Sequence, residues 1–306
     1  MSRKTNVSMI VLFVLTVGLW PLPIRPAGGA QTSAALGVSS GKPSFQKVFI
    51  VVFENAEAED VLNQPYFSRL KEKGAYLSNF FALTHPSLPN YIAMVSGDTH
   101  GMQLDNVKSV DGRTIVDLLE EKGLTWKSYA EDYPGHCFAG SKSPDPGTHY
   151  VRRHQPFIVF RNIRENPERC KFIVPASELQ RDINQNRLHS FSLFIPNNPN
   201  SGHGNRLAQA EHWLKETFSP LIDRENSQFM KDMLFVVTFD EGRAEKFGGG
   251  RNHIYTVLYG NSVVPGKVSD KHYNVYNLLK TIEVRLGLGT LTENDKKAEP
   301  ITGIWR

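Results

Sequence analysis

Apolar residues in this chain arrive in short unbroken runs, separated by longer stretches with helical spacing. The first run is Lys47-Val48-Phe49-Ile50-Val51-Val52-Phe53, and others span 190–195 (SFSLFI), 233–239 (MLFVVTF) and 255–259 (YTVLY). Unbroken apolar runs of strand length suit strands covered on both faces, as in parallel sheets. Shorter strand candidates span 75–81 and 125–129. Between them the spacing predicts helices over 61–73, 89–95, 114–122, 177–186, 207–218 and 274–286. Asp111 or Arg113 stands where the third could open, and Gly123 follows its end. Strands alternating with helices predict an α/β fold, with a mostly parallel central sheet flanked by helices. Residues 131–170, rich in Pro, Gly and His, break the rhythm and are expected to form a long insertion.

The chain's start has a different pattern. Arg3 and Lys4 precede an apolar run from Met9 to Trp20, and Ala27-Gly28-Gly29-Ala30 offers a small-residue cleavage site. This order predicts a signal peptide over 1–30. The run is short of the ~20 residues that span a bilayer, and Pro21 and Pro23 interrupt it. Residues 31–46 read as a linker and 47–306 as a single domain, secreted or periplasmic, with no stable membrane insertion after cleavage.

Export changes the charge. Subtracting Arg3, Lys4 and Arg25 from the formal +4 leaves +1, with no acid removed alongside them. A nearly neutral mature chain gives no electrostatic reason to bind nucleic acid. The only two cysteines, Cys137 and Cys170, read as one disulfide in an exported protein, with two buried thiols as the alternative.

Candidate chemistry sits where strands end. Glu54 and Asn55 follow the first run, and Asp240, Glu241 and Gly242 follow the run at 233–239. In open α/β sheets ligands gather beyond the carboxyl ends of strands. Acids beside fully apolar strands are costly to desolvate unless paired, solvated or bound to a cation. The oxygen-rich set suits a divalent ion of the Ca, Mg, Mn or Zn class. Ser87, in Thr84-His85-Pro86-Ser87-Leu88-Pro89-Asn90-Tyr91, precedes a helical run. It can serve as an N-cap, or as a nucleophile beside an anion held at a helix N-terminus. A nearby dication makes a serine hydroxyl a competent nucleophile. No GxSxG elbow is present.

The segments Val51-Val52-Phe53-Glu54-Asn55, His85 to Gly97 (HPSLPNYIAMVSG) and Val236 to Gly242 (VVTFDEG) together resemble the phosphoesterase family of bacterial acid phosphatases and phospholipases C. That family belongs to the alkaline phosphatase superfamily. The resemblance extends from Lys47 to about Leu286 and takes in the loop of Cys137, Tyr150, His154-Gln155-Pro156-Phe157 and Cys170. It implies an alkaline phosphatase-like fold in which Ser87 forms a phosphoserine. Glu54, Asn55, Ser87, Asp240 and Glu241 are the implied metal ligands. Asn90, His203, His253 and His85 are the implied phosphate or leaving-group contacts. Two-metal relatives carry an aspartate shortly before the histidine matching His203, where this chain has Asn197, Asn200 and Ser201, and a histidine where it has Glu241. The departures imply one divalent ion, with His203 and His253 supplying the remaining positive charge and an acidic optimum. The implied substrate is a small phosphomonoester, phosphoinositides included. The alternatives are a phospholipid headgroup cleaved as a phospholipase C does, and a non-catalytic binding protein. His100, His136, His149, His189, His212 and His272 are read as non-catalytic, and Arg152-Arg153 as a solvated pair, with contact to a second phosphate or a lipid headgroup as the alternative.

Overall fold

A computed structural model describes residues 45–106, 108–243 and 251–306; the expected signal segment and residues 31–44 of the expected linker lie outside the described residues. Phe45, assigned to the linker by sequence, is buried with its ring 6.0 Å from Trp305, so the folded unit begins at least two residues earlier than expected. Among the described residues no helix is long and apolar enough to cross a membrane.

Among the described residues ten strands are formed: β1 Lys47–Phe53, β2 Ala75–Leu77, β3 Phe80–Phe81, β4 Trp126–Ala130, β5 Ile173–Pro175, β6 Phe191–Ile195, β7 Met233–Phe239, β8 Thr256–Tyr259, β9 Lys267–Ser269 and β10 Tyr273–Asn274. Eight make one sheet in the order β5-β4-β6-β1-β7-β8-β2-β9, and β3 pairs with β10 in a small separate one. From β5 to β7 every pairing is parallel, whereas β8 runs antiparallel to both β7 and β2. The two central strands are the two seven-residue apolar runs. Val51 of β1 lies beside Phe194 of β6 and Val237 of β7, and β7 is buried along its whole length. Burial on both faces is why these strands show no alternation. The stretch 75–81, expected as one strand, divides into β2 and β3 in different sheets.

The helices are α1 Ala58–Leu62, α2 Pro65–Lys73, α3 Ser87–Ser96, α4 Ile115–Glu121, α5 Arg161–Arg164, α6 Pro167–Cys170, α7 Glu178–Asn184, α8 Leu207–Ile222, α9 Val275–Leu286 and α10 Glu293–Lys297. Pro65 opens α2 and divides the expected helix 61–73 into two. Thr114, not Asp111 or Arg113, caps α4, through a capping box with Asp117. Helix α8 buries Ala210, Leu214, Phe218 and Ile222, an i, i+4 stripe facing the sheet. Helix α3 starts at Ser87, two residues before the expected 89, and is buried along its whole length. It ends on Gly97, whose φ of 75° is the left-handed cap geometry that glycine adopts without penalty.

The insertion is tied by the Cys137–Cys170 disulfide, with Cα atoms 5.6 Å apart. It is also part of the core, since Phe157, Ile158, Val159 and Phe160 are fully buried. That anchoring brings residues 152–154 up to helix α3.

Candidate active site

Strands β1, β6 and β7 are parallel, so Glu54-Asn55, the 197–203 loop and Asp240-Glu241 all leave the same edge of the sheet. The Glu54 amide donates to Ser201 O (2.8 Å) and the Asp240 amide to Phe53 O (2.9 Å), which registers the three loops against each other. Gly202, with φ 98°, passes so near Glu54 O that a Cβ there would sit 3.2 Å from it.

Helix α3 brings its N-terminus to this edge. Ser87 Oγ donates to Glu241 Oε1 at 3.2 Å, and His85 Nδ1 lies 2.7 Å from Glu241 Oε2. Asn55 takes a left-handed conformation (φ 47°) that Asn tolerates. Its side-chain amide donates to Glu241 Oε1 and its backbone N–H to Asp240 Oδ1. The Glu241 amide also donates to Asp240 Oδ1, at 2.7 Å. Residues 55, 87, 240 and 241 are therefore joined by contacts, together with His85, and Glu54 lies near enough for its charge to act on Asp240 and Glu241. Ser87 is not the N-cap; that position is Pro86, and Ser87 is the first helical residue with no capping hydrogen bond.

Three buried side-chain oxygens of this cluster have no hydrogen-bond partner: Glu54 Oε2, Asn55 Oδ1 and Asp240 Oδ2. Buried polar atoms are rarely left unpaired, because each costs about 1–3 kcal/mol. No three His, Cys, Asp or Glu among the described residues form a ready-made cage. The donors on hand are carboxylates, an amide oxygen and a hydroxyl, the hard oxygen set that Ca, Mg and Mn prefer and Zn accepts. Three orphaned oxygens of that chemistry fit a divalent cation.

The electrostatics agree. Burial pushes Asp240 well above the usual carboxylate range, and the charges of Glu54 and Glu241 push it further. Burial also raises Glu241, against the opposing contact of His85. Burial acts upward on Glu54 as well, but His154, His203 and Arg153 more than offset it and hold that carboxyl low. Three acids lie near one another in a buried site without enough positive charge to ionise together.

Other expected contacts are placed differently. Asn90 is fully buried, and its side chain is spent on the preceding loop. Its Oδ1 accepts from the Leu83 and Thr84 amides, and its Nδ2 donates to Thr84 O and Pro86 O. A phosphate contact needs a free donor, and Asn90 has none, so the structure gives it the shaping of the His85–Ser87 loop instead. His253 is also committed elsewhere. Its Nε2 donates to Ser78 O (3.0 Å), its Nδ1 lies 3.4 Å from Glu59 Oε1, and its ring packs on Phe81. His203 is half-buried; burial lowers its pKa, the Glu54 charge opposing.

Three residues at the site have no role in the sequence-based reading. His154 Nε2 stands 2.6 Å from buried Glu54 Oε1, although not aligned as a hydrogen bond. Tyr91 OH donates to the same oxygen at 3.1 Å, and its ring stacks on His154. Asn252 accepts from the Gly242 amide and donates to Thr84 O, joining the two loops. Tyr91 is four residues beyond Ser87, on the same helix face, so its spacing was a usable signal. His154 lies in the His154-Gln155-Pro156-Phe157 segment of the family resemblance, which was its signal, whereas nothing in the local pattern marks Asn252.

Comparison with known proteins places this arrangement. The family model described as "Phosphoesterase family" matches residues 58–289. The chain belongs to the phosphoesterase family. It is 34% identical over 284 residues to a probable acid phosphatase of Kluyveromyces lactis, covering 90% of this chain and 66% of that one. It is 34% identical over 285 residues to a phosphatidylinositol-3-phosphatase of Mycobacterium tuberculosis, covering 90% of this chain and 88% of that one. It thus spans just under two thirds of the curated fungal acid phosphatases it matches. A solved alkaline phosphatase superfamily protein from Vibrio parahaemolyticus shares the fold, with a TM-score of 0.58 and 15% identity over 86% of this chain and 71% of that one.

Proposed function

We propose that this phosphoesterase-family chain is an exported, metal-dependent hydrolase of phosphomonoesters that works through a phosphoserine at Ser87. The observation that carries this reading is the meeting of Ser87 Oγ with Glu241, beside the unpartnered oxygens of Glu54, Asn55 and Asp240. These five residues would hold one divalent ion of the Ca, Mg, Mn or Zn class. Bound there, it would favour the serine alkoxide and offset charge on the phosphoryl oxygens. Asn197 and Asn200 donate to Asp132 and Glu131 rather than facing a second ion, which supports one ion over two.

In this reading Ser87 Oγ attacks phosphorus, its proton passes to Glu241, and the ester oxygen departs as the alcohol. Glu241 Oε1, 3.2 Å from Ser87 Oγ, is placed to accept that proton. Of the first three positions of α3, Leu88 already gives its amide to Asp105 and Pro89 has none, so the Ser87 amide is the one left for a phosphoryl oxygen. His203 supplies positive charge or a proton to the leaving group. Because burial lowers its pKa, its charged fraction grows only toward acid, which supports an acidic optimum. Water then opens the phosphoserine. The predicted signal peptide supports a secreted or periplasmic location.

Relatives bearing phosphatase names match 81–90% of this chain, whereas a non-specific phospholipase C1 of Arabidopsis thaliana matches 64%, which favours monoesters over phospholipid diesters. The test is a short incubation with a phosphomonoester, acid quench and peptide mass spectrometry. A phosphorylated peptide containing Ser87, absent in Ser87→Ala together with nearly all turnover, is expected. Wild-type turnover in Ser87→Ala defeats the reading, and faster cleavage of phosphatidylcholine than of any monoester favours the phospholipase alternative.

A further inference from the structure

We infer that a cleft beside the nucleophile, walled by Arg152 and Arg153, takes a second phosphoryl group carried on the alcohol part of the substrate. This deepens the phosphatase reading and rests on it. The cleft has a volume of about 280 Å³ and is lined by Asp105, Asn106, Ser141, Val151, Arg152 and Arg153. A water's share of the liquid is ~30 Å³, so a phosphoryl group and several waters fit.

Its position follows from two contacts. Asp105 Oδ1 accepts from the amide of Leu88, the residue after the nucleophile, at 3.1 Å. Asp105 Oδ2 lies 3.4 Å from Arg153 Nε. Two non-covalent steps therefore connect Arg153 to the first turn of α3. Arg153 is also near enough for its charge to act on Glu54 and on His203.

The cleft is equipped for an anion. The Nε atoms of Arg152 and Arg153 are buried and make no hydrogen bond. Two guanidiniums face a single carboxylate there, so the balance is positive. A guanidinium binds phosphate through a planar fork of donors, and a half-buried one is less screened than a surface charge. Backbone anchoring fixes the pair: the Arg152 amide donates to Ser141 O, and His154, next along, is locked against Glu54. The solvated pair expected from sequence is instead a half-buried one.

The substrate class is therefore a phosphomonoester whose alcohol bears a further phosphate, as monoester or as diester. The second phosphate comes from one of two sources, a soluble polyol or a phospholipid headgroup. The experiment compares kcat/KM for inositol 3-phosphate, inositol 1,3-bisphosphate and short-chain phosphatidylinositol 3-phosphate, in the wild type and in Arg153→Ala and Arg152→Gln.

The wild type is expected to prefer both doubly phosphorylated compounds by about tenfold, the equivalent of about 1.4 kcal/mol. Either substitution should bring the ratio toward one, mainly through KM, and Arg153→Lys should restore part of it. Preference for the lipid alone would assign the cleft to a diester headgroup, and preference for the bisphosphate alone to a soluble polyol. Equal kcat/KM on all three in the wild type overturns the second subsite and leaves the phosphatase reading standing. So does a preference that survives both substitutions. Hydrolysis of none overturns the second subsite, and the phosphatase reading then stands or falls on the Ser87 phosphopeptide test.

Discussion

His154 Nε2 lies 2.6 Å from Glu54 Oε1, inside the protein, where both side chains are shut off from water. The same oxygen accepts from Tyr91. With Oε1 held from two sides, Oε2 has one direction left to face, and it has no partner. Partners behind a metal ligand fix its orientation and basicity, and their loss commonly costs 10–100-fold in metal affinity. His154→Ala should weaken divalent-ion binding by about that factor, measured by calorimetric titration of the metal-free protein. Tyr91→Phe, which keeps the ring and loses one donor, should cost less. Unchanged affinity in both would show that Glu54 does not depend on them.

Asn90 makes four hydrogen bonds to the loop that carries His85 and Ser87. Replacing it with Ala strands buried backbone groups at about 1–3 kcal/mol each, partly recovered by water. We expect Asn90→Ala to lose about 2–4 kcal/mol in urea unfolding and to lower kcat by misplacing Ser87. If stability holds while KM alone rises, Asn90 contacts substrate after all.

Asp240 is held well above the normal carboxylate range by burial and by Glu54 and Glu241. A cation needs it ionised, so binding near neutral pH should expel a proton. Titrating metal into the protein in buffers of different ionisation enthalpy measures that release. Chelation should lower the melting temperature, because a ligand bound only to the native state stabilises it. Release of no protons from pH 5 to 7 would contradict the crowded-acid description.

Glu283 is a separate case, far along the chain on α9. It is buried, both of its carboxyl oxygens lack a hydrogen-bond partner, and burial, then the charge of Asp295, raise its pKa to about 9. The folded state keeps this proton up to about pH 9, while the unfolded chain gives it up near ~4.3. Between those values the native state binds the extra proton, so stability from this group falls as pH rises. Glu283→Gln keeps the shape without the charge. Its melting temperature should exceed the wild type's at pH 8 and match it near pH 4, as read by thermal unfolding across that range. A parallel fall with pH in both proteins would clear Glu283 of the effect.

The central strands, the order of the helices and the edge at which chemistry collects are legible in the chain alone. Runs such as 47–53 and 233–239 are apolar at every position because both faces are covered, and that constraint is written locally. Glu54 and Asp240 follow those runs directly, so parallel pairing of β1 and β7 had to bring them together. Which partner each polar group meets is fixed by the folded arrangement alone. Asn90 and His253 sit where a site residue would be expected, yet their hydrogen bonds go to neighbouring backbone. The residues that His154 and Asn252 meet have no trace in their own segments; the two side chains reach the site because the disulfide-tied insertion and the 252–253 turn fold back on it. Apolar burial leaves a periodic trace along the chain, whereas a hydrogen bond depends on a distance of about 3 Å between atoms remote in sequence, and no pattern in one strand or helix encodes that distance.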